Sequence, residues 1–460
     1  MSFLGMADIA KDVPPFRTQK QLVVEGWNLK GNVFHRDDHA YLPLYEGNFV
    51  RHFDHRFATV DAGRRRDCTL QEKLDADFTI LPRYWVPDAL VAEKLGSRWL
   101  PRWCLSFRPA TNRTNERTFL ACLLPRVGVG DNLPLLLTAK EHVGAVPFLL
   151  ANLNSFAFDY AVRLRLCRTK TKVSGSRLKH VTIGQLPIMP PTTYEQSCPW
   201  ASNQRAIKAW ILPRVLELTY TAWDLEPFAR DCGYDGPTFR WDEARRFLLR
   251  CELDAAFFLL YGLTYDDATA ILNTFSVVRR KEKDCFGEYR TQRVILEIYK
   301  AMAEAQRTGQ PYQTLLNPPP ADPRVAHPPR DKTSDMVIKK AGEVAKSVTA
   351  LATKTGIHVP RPQEVETYLQ AFPDLCPHVA KVLPLAKAEL GHSAELTLDV
   401  FYDRDSDDRY LNLLVRQEHY SPRLMTRIKD FRAKKCEFLT STEGWFHITT
   451  DFQKPHNKKT

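Results

Sequence analysis

Basic side chains crowd one short stretch of the sequence, and no acidic residue lies among them. Lysine and arginine at this density displace the counterions that condense on a polyphosphate chain, so the pattern indicates a binding site for a polyanion such as nucleic acid. The same pattern is also typical of a solvated charged loop. The basic residues of this segment are Arg163, Arg165, Arg168, Lys170, Lys172, Arg177 and Lys179.

A second polar segment supplies side chains that can read base edges. Arginine forms paired hydrogen bonds with guanine and asparagine with adenine, whereas contacts to phosphate only position a protein on the duplex. We therefore predict that the basic segment holds phosphates and that nearby polar residues read the bases. The candidates for reading are Asn112, Arg113, Asn115, Arg117 and Ser176.

Other patterns that could carry chemistry are incomplete. His52, Asp54 and His55 invite a metal site, but a His-x-x-His pair in a strand points to both faces, and the sequence offers no third ligand. Structural or DNA-facing histidines are the alternatives. The Gly128–Gly130 segment lacks the third glycine of a dinucleotide site, and Asn317–Pro320 lacks the aromatic residue of an amino-methylating site. We predict no catalytic residue and no metal ligand.

Composition narrows the class of protein. The 460 residues carry a net charge of +11, and 44% are hydrophobic, as in an ordinary globular protein with a polyanionic partner. No stretch approaches the roughly 18 uninterrupted apolar residues of a membrane span. The N-terminus does not resemble a secretory signal, and the ten cysteines form no CxxC pair. These features predict a cytoplasmic protein with reduced thiols.

The elements that position these residues predict an α+β fold. We expect a β-rich target-recognition region over residues 1–200, a helical support over 201–310 and a proline-rich linker or strap over 311–334. Residues 335–460 are expected to form a separate small α+β domain.

Local patterns define several elements of the first two regions. Strands are predicted at 41–45 and 119–124, and one helix is predicted through 149–160, before the basic loop. Further helices are expected at 204–224, with a break or kink at Pro213, and at 241–261, with Gly262 ending it. A capping box formed by Thr264 and Asp267 opens a short helix, and another helix is predicted at 290–306.

The small C-terminal domain has its own pattern. Helices are predicted at 337–354 and, divided near Pro373, at 362–390. Strands are predicted at 396–402, 410–416 and 445–449, with residues 422–439 crossing between the last two.

A series of short motifs occurs in a fixed order along the chain: Tyr41–Gly47, Phe53–Arg56, Pro82–Pro87, Arg113–Thr118, Pro125–Gly130, Asn152–Phe156, Gln185–Ile188 and Gly233–Pro237. The series resembles the C-terminal, target-recognition half of Type IIG-like restriction-modification adenine DNA methylases, including those of BREX-type and DISARM-type bacterial phage-defence systems. The resemblance covers roughly residues 17–330. It implies a part that grips double-stranded DNA and reads its sequence, while a separate domain binds S-adenosylmethionine and methylates adenine.

The catalytic half of that family has no counterpart in the sequence, which shows neither a glycine-rich cofactor motif nor Asn-Pro-Pro-Tyr or Asn-Pro-Pro-Phe. The resemblance therefore implies a specificity component with no cofactor of its own. A methylase and/or a helicase is expected as its protein partner, and S-adenosylmethionine is expected only on a partner. Two alternatives stay open. One is a complete DNA-modifying enzyme, a methyltransferase or a nuclease, with a disguised active site. The other is a scaffold whose C-terminal domain recruits a partner.

Overall fold

The computed structural model describes residues 2–4, 16–111, 115–168, 176–178, 183–201, 205–330, 344–402, 409–435 and 444–456. The chain divides into two compact units, Met1–Pro329 and Arg330–Thr460. Both contain helices and small sheets, so the predicted α+β class is confirmed.

The first unit contains two larger sheets and two β-ribbons. One sheet has the strand order β1-β12-β8-β10, the other has β11-β4-β3-β2 with β7 also paired to β4, and the ribbons are β5-β6 and β9-β13. The strands are β1 (Ser2–Leu4), β2 (Asn28–Lys30), β3 (Val33–Arg36), β4 (His39–Tyr45), β5 (Ala58–Asp61), β6 (Arg64–Asp67), β7 (Trp85–Pro87), β8 (Trp103–Phe107), β9 (Ala110–Thr111), β10 (Ala121–Pro125), β11 (Gly128–Val129), β12 (Leu135–Leu137) and β13 (Ser176–Arg177).

Helices lie between and after the strands and share a core with them. Leu105 and Phe158 belong to the same buried cluster as Phe257 and Ile295, so residues 1–200 and 201–310 are packed around one hydrophobic core. The helices are α1 (Gln19–Val24), α2 (Leu70–Leu74), α3 (Asp88–Leu95), α4 (Val146–Leu153), α5 (Phe156–Arg168), α6 (Ile207–Thr219), α7 (Glu226–Asp231), α8 (Glu243–Leu260), α9 (Tyr265–Asn273), α10 (Ser276–Phe286) and α11 (Arg290–Thr308).

The single helix predicted through 149–160 is wrong, because the chain breaks into α4 and α5 at Asn154 and Ser155. The Asn154 amide exchanges two hydrogen bonds with the backbone of Ala121, at 2.9 and 3.0 Å. The Asp254 carboxylate accepts a hydrogen bond from the Phe156 N–H at 2.7 Å and so caps the new helix. Ala121 and Asp254 are distant in sequence from the break, so the helical periodicity of residues 149–160 could not predict it.

Helix α5 also corrects the predicted basic loop, since it extends to Arg168 and includes the first basic residues of that segment. Two other helices follow the prediction closely. Helix α8 ends just before Gly262, which has a φ of +67°, and α9 begins at the predicted capping box of Thr264 and Asp267.

Two proline-containing segments pack on the helical layer. Helix α6 runs through Pro213 without the predicted break. The proline-rich stretch after α11 forms a strap over the first unit, in which the Tyr312 hydroxyl donates to Glu252 at 2.8 Å and the Ala321 N–H donates to Glu217 at 2.8 Å. Leu316 of the strap is buried. The strap therefore belongs to the first unit up to residue 329.

The second unit has a three-stranded sheet in the order β14-β15-β16, with β14 antiparallel and β16 parallel to β15. A parallel pair needs a crossover, and the helix between these two strands supplies it, as predicted. Helix 337–354 is described from residue 344 onward. The elements are α12 (344–354), α13 (Pro362–Ala371), α14 (Leu375–Leu390), β14 (Glu395–Tyr402), β15 (Arg409–Arg416), α15 (Leu424–Lys435) and β16 (Phe446–Thr449).

Within the described ranges, every helix is too short or too polar to cross a lipid bilayer.

Candidate nucleic-acid interface

The structure brings the two polar segments singled out in the sequence together. Strand β13 of the basic segment pairs antiparallel with β9, with Ser176 opposite Thr111 and Arg177 opposite Ala110. The backbones of the basic segment and of the polar segment are therefore hydrogen-bonded to each other at these residues.

Eight of the predicted DNA-binding residues have no described side chain. For Arg168, Ser176 and Arg177 the backbone alone is described, in α5 and β13. Five others lie outside the described residues: Asn112, Arg113, Lys170, Lys172 and Lys179.

Arg117 and Arg163 serve the fold through internal partners. The Arg117 Nε donates to Asp159 at 2.7 Å, and its guanidinium lies 3.9 Å from the centre of the Phe156 ring. The Arg163 Nε donates to the Thr118 hydroxyl at 2.8 Å. Both side chains thus hold residues 115–118 against α5. Their hydrogen-bond donors are used at least in part within the protein.

Arg165 and Asn115 lie closer to solvent. Arg165 is half-buried on α5 and donates a hydrogen bond to the side chain of Gln185. Asn115 is also half-buried and lines an open cleft beside the two segments. These two predicted residues remain available at the surface.

The cleft has a volume of about 540 Å³ and is strongly basic. Among the described residues that line the cleft, one is acidic. It is Glu116, which forms an ion pair with Lys281 at 2.5 Å. We call this cleft the basic cleft. Its charged lining consists of Arg51, Arg108, Glu116, Arg117, Arg280 and Lys281.

Arginines crowd one wall of the basic cleft. The Arg51 guanidinium lies 3.9 Å from the centre of the Phe57 ring and has no carboxylate within 4 Å among the described residues. Burial and the charges of Arg108 and Arg65 lower the pKa of Arg51, and burial and Arg65 lower the pKa of Arg108. Like charges held this close repel each other, and a bound anion would relieve the repulsion.

The opposite wall belongs to α10, which the sequence analysis missed. Arg280 and Lys281 are exposed on this helix, and Arg280 makes no hydrogen bond or ion pair with any described residue. The run Arg279–Asp284 was a usable signal, since four of its six residues are basic.

His52, Asp54 and His55 have separate partners. The His52 Nε2 lies 2.9 Å from the Phe119 carbonyl oxygen, and the His55 Nε2 lies 2.9 Å from Asp224. Asp54 accepts from the buried Lys73 ammonium at 2.6 Å. Among the described residues no group of three or more His, Cys, Asp or Glu side chains is arranged to hold a metal ion.

A smaller cavity of about 210 Å³ adjoins the basic cleft, since His52, Glu116 and Arg117 line both. We call it the adjoining cavity. Its other polar lining residues are Asn154, Ser155, Glu282 and Thr291, together with Arg250 and Asp254, which lie one helical turn apart on α8. No pattern in the sequence indicated this cavity.

Asp254 makes a pH-dependent contribution to stability that can be measured. Burial raises its pKa to about 6, against the opposing charge of Arg117, whereas an ordinary aspartate titrates at 3.8. Folding therefore favours the neutral acid, and this stabilisation is complete below about pH 4 and is lost as the pH rises through about 6.

Asp254→Asn removes the titration and keeps an oxygen that can accept from the Phe156 N–H. We expect the variant to match the wild type near pH 4 and to gain up to about 3 kcal/mol in unfolding free energy near pH 7. Denaturant unfolding at both pH values measures this. A difference between variant and wild type that stays constant with pH would contradict the assignment.

No protein-family model matches the chain, and no curated protein matches its sequence.

Proposed function

We propose that this chain is the DNA-binding target-recognition component of a restriction-modification or phage-defence system. In this proposal a methylase or helicase acts from a partner protein, and S-adenosylmethionine binds to that partner. The observation that carries the proposal is the basic cleft, in which Arg51, Arg108 and Arg280 line a concave surface beside the paired strands β9 and β13.

Several features of the basic cleft suit a phosphate backbone. Its guanidinium groups offer planar donors that match phosphate oxygens, and its acidic lining residue is already neutralised by Lys281. The ring of Phe57 fixes the Arg51 guanidinium, so less side-chain freedom is lost when an anion binds. Asn115 at the rim supplies an amide for contacts with base edges or sugars.

A salt titration with duplex DNA tests the proposal. We expect the purified chain to bind a fluorescent duplex at about 50 mM salt, with a logarithmic affinity that falls linearly as the logarithm of the salt concentration rises. Fluorescence anisotropy measures both. Indifference to duplex DNA at low ionic strength would overturn the proposal.

The alternative function is a complete DNA-modifying enzyme, and two activity assays on the same sample distinguish it from the proposed function. Equilibrium dialysis with S-adenosylmethionine and a nicking assay with Mg²⁺ or Mn²⁺ should both give no signal above a buffer blank. Methyl transfer or strand scission by the purified chain would contradict a role confined to recognition.

A further inference from the structure

We infer that the adjoining cavity binds a single nucleobase with the hydrogen-bonding edge of guanine, with the phosphate of that nucleotide in the basic cleft. This inference rests on the proposed function for its source of bases, and the base must be unpaired to present that edge. It adds the side chains of the adjoining cavity to those of the basic cleft. It assigns a base-specific site to residues that the sequence did not single out.

The position of the cavity is the first argument. It opens beside the basic cleft, because His52, Glu116 and Arg117 form a common border. A nucleotide whose phosphate meets the arginines of the cleft therefore has its base directed toward either solvent or the cavity. A base is apolar on its faces and polar on its edges, so a small enclosed space with mixed walls suits it.

Aromatic rings form part of the wall. Phe156 and Phe247 line the cavity, and each is held by an arginine, with Arg117 at 3.9 Å from the centre of the first ring and Arg290 at 4.2 Å from the centre of the second. Phe156 is buried, whereas Phe247 is half-buried, so the ring of Phe247 is the surface on which a base can stack, a contact worth about 1–3 kcal/mol.

The polar groups of α8 distinguish guanine from adenine. Arg250 lines the cavity and makes no hydrogen bond or ion pair with any residue that the structure describes, so its five donors are free for a ligand. Asp254 is 6% exposed and uses one carboxylate oxygen on the Phe156 N–H, at 2.7 Å.

Guanine presents the N1–H and N2–H donors on its Watson–Crick edge, and its adjacent O6 and N7 acceptors face the major-groove side. A carboxylate and a guanidinium one helical turn apart complement this arrangement. Adenine would place its N1 acceptor against the carboxylate, which is repulsive. The site therefore selects a guanine-type base by hydrogen bonding.

Binding of mononucleotides tests the inference. We expect isothermal titration calorimetry to show GMP binding that is at least roughly 10-fold tighter than AMP binding at pH 7.5. Arg250→Met should abolish this preference, since it removes the donors and leaves no internal partner unsatisfied. Asp254→Asn should also reduce it, and Arg307→Met, at an exposed ion pair, is the matched control that should keep it. Thermal melting verifies that each variant is folded.

Equal affinity of the wild type for GMP and AMP, or a preference that persists in Arg250→Met, would overturn the inference. Single-stranded oligonucleotides with one guanine or one adenine identify the source of the base. A guanine advantage in the oligonucleotide assigns the site to a strand, and an advantage for GMP alone assigns it to a free nucleotide.

The two proposals fail differently. If the chain binds duplex DNA but shows no preference for guanine, the guanine site is contradicted and the target-recognition role stands. If it prefers GMP but does not bind DNA, the target-recognition role is contradicted and the guanine site stands.

Discussion

Replacing Arg56 with methionine will lower the free energy of unfolding by about 4 kcal/mol or more. The Arg56 side chain is fully buried, and its guanidinium donates to the carbonyl oxygens of Asp75 at 2.6 Å, Phe78 at 3.0 Å, Lys73 at 3.1 Å and Thr221 at 2.9 Å. Methionine fills similar space but offers no donor. Each carbonyl left without a partner in the interior costs about 1–3 kcal/mol.

Denaturant unfolding followed by tryptophan fluorescence measures this loss. Eight of the nine tryptophans lie before residue 330, so the signal reports the first unit. Arg293→Met is the matched control, because Arg293 is exposed and its ion pairs with Glu288 and Glu297 lie in solvent. We expect that control to cost less than about 1 kcal/mol. If Arg56→Met lowered the free energy of unfolding by no more than the Arg293→Met control, the role of Arg56 as an internal anchor would be contradicted.

The second large effect concerns DNA. The triple variant Arg51→Ala, Arg108→Ala and Arg280→Ala should bind duplex DNA about 100-fold more weakly at roughly 50 mM salt, because three phosphate contacts are lost from both walls of the basic cleft. The slope of logarithmic affinity against logarithmic salt concentration should become shallower by about 2.7, at roughly 0.9 for each contact. Anisotropy titrations over a series of salt concentrations measure both quantities.

A charge-matched control distinguishes local contacts from net charge. Lys20→Ala, Lys30→Ala and Lys94→Ala remove the same charge from exposed positions that do not line the basic cleft. This control should keep nearly the wild-type slope. If the two triple variants gave the same slope, binding would follow overall charge and the basic cleft would have no special role.

Local signals explain why much of the helical layer was predictable. Helices α8, α9 and α11 each combine a strong apolar stripe or a capping residue with a glycine or a turn at the end, and such signals lie within the helix itself. Helix α10 was missed because it buries no residue and is charged on most sides. Its apolar face is short, with Val277 and Val278 half-buried, and did not stand out among the charged residues.

The candidate site depended on contacts that no local pattern records. The basic cleft draws Arg51, Arg108 and Arg280 from three distant parts of the chain. Charge density in the sequence singled out the basic segment, yet it could not show that Arg117 and Arg163 would be used for internal hydrogen bonds. Charge identifies a region, whereas the geometry of the fold decides which cations face outward.

The Asp254 carboxyl group has two roles, because it accepts the Phe156 N–H at the start of α5 and also lines the adjoining cavity. A ligand that engages this carboxyl group changes how firmly the first turn of that helix is held, and thermodynamic linkage requires the reverse to hold as well. If a ligand occupies the adjoining cavity, its affinity and the stability of the first turn of α5 are therefore reciprocally coupled.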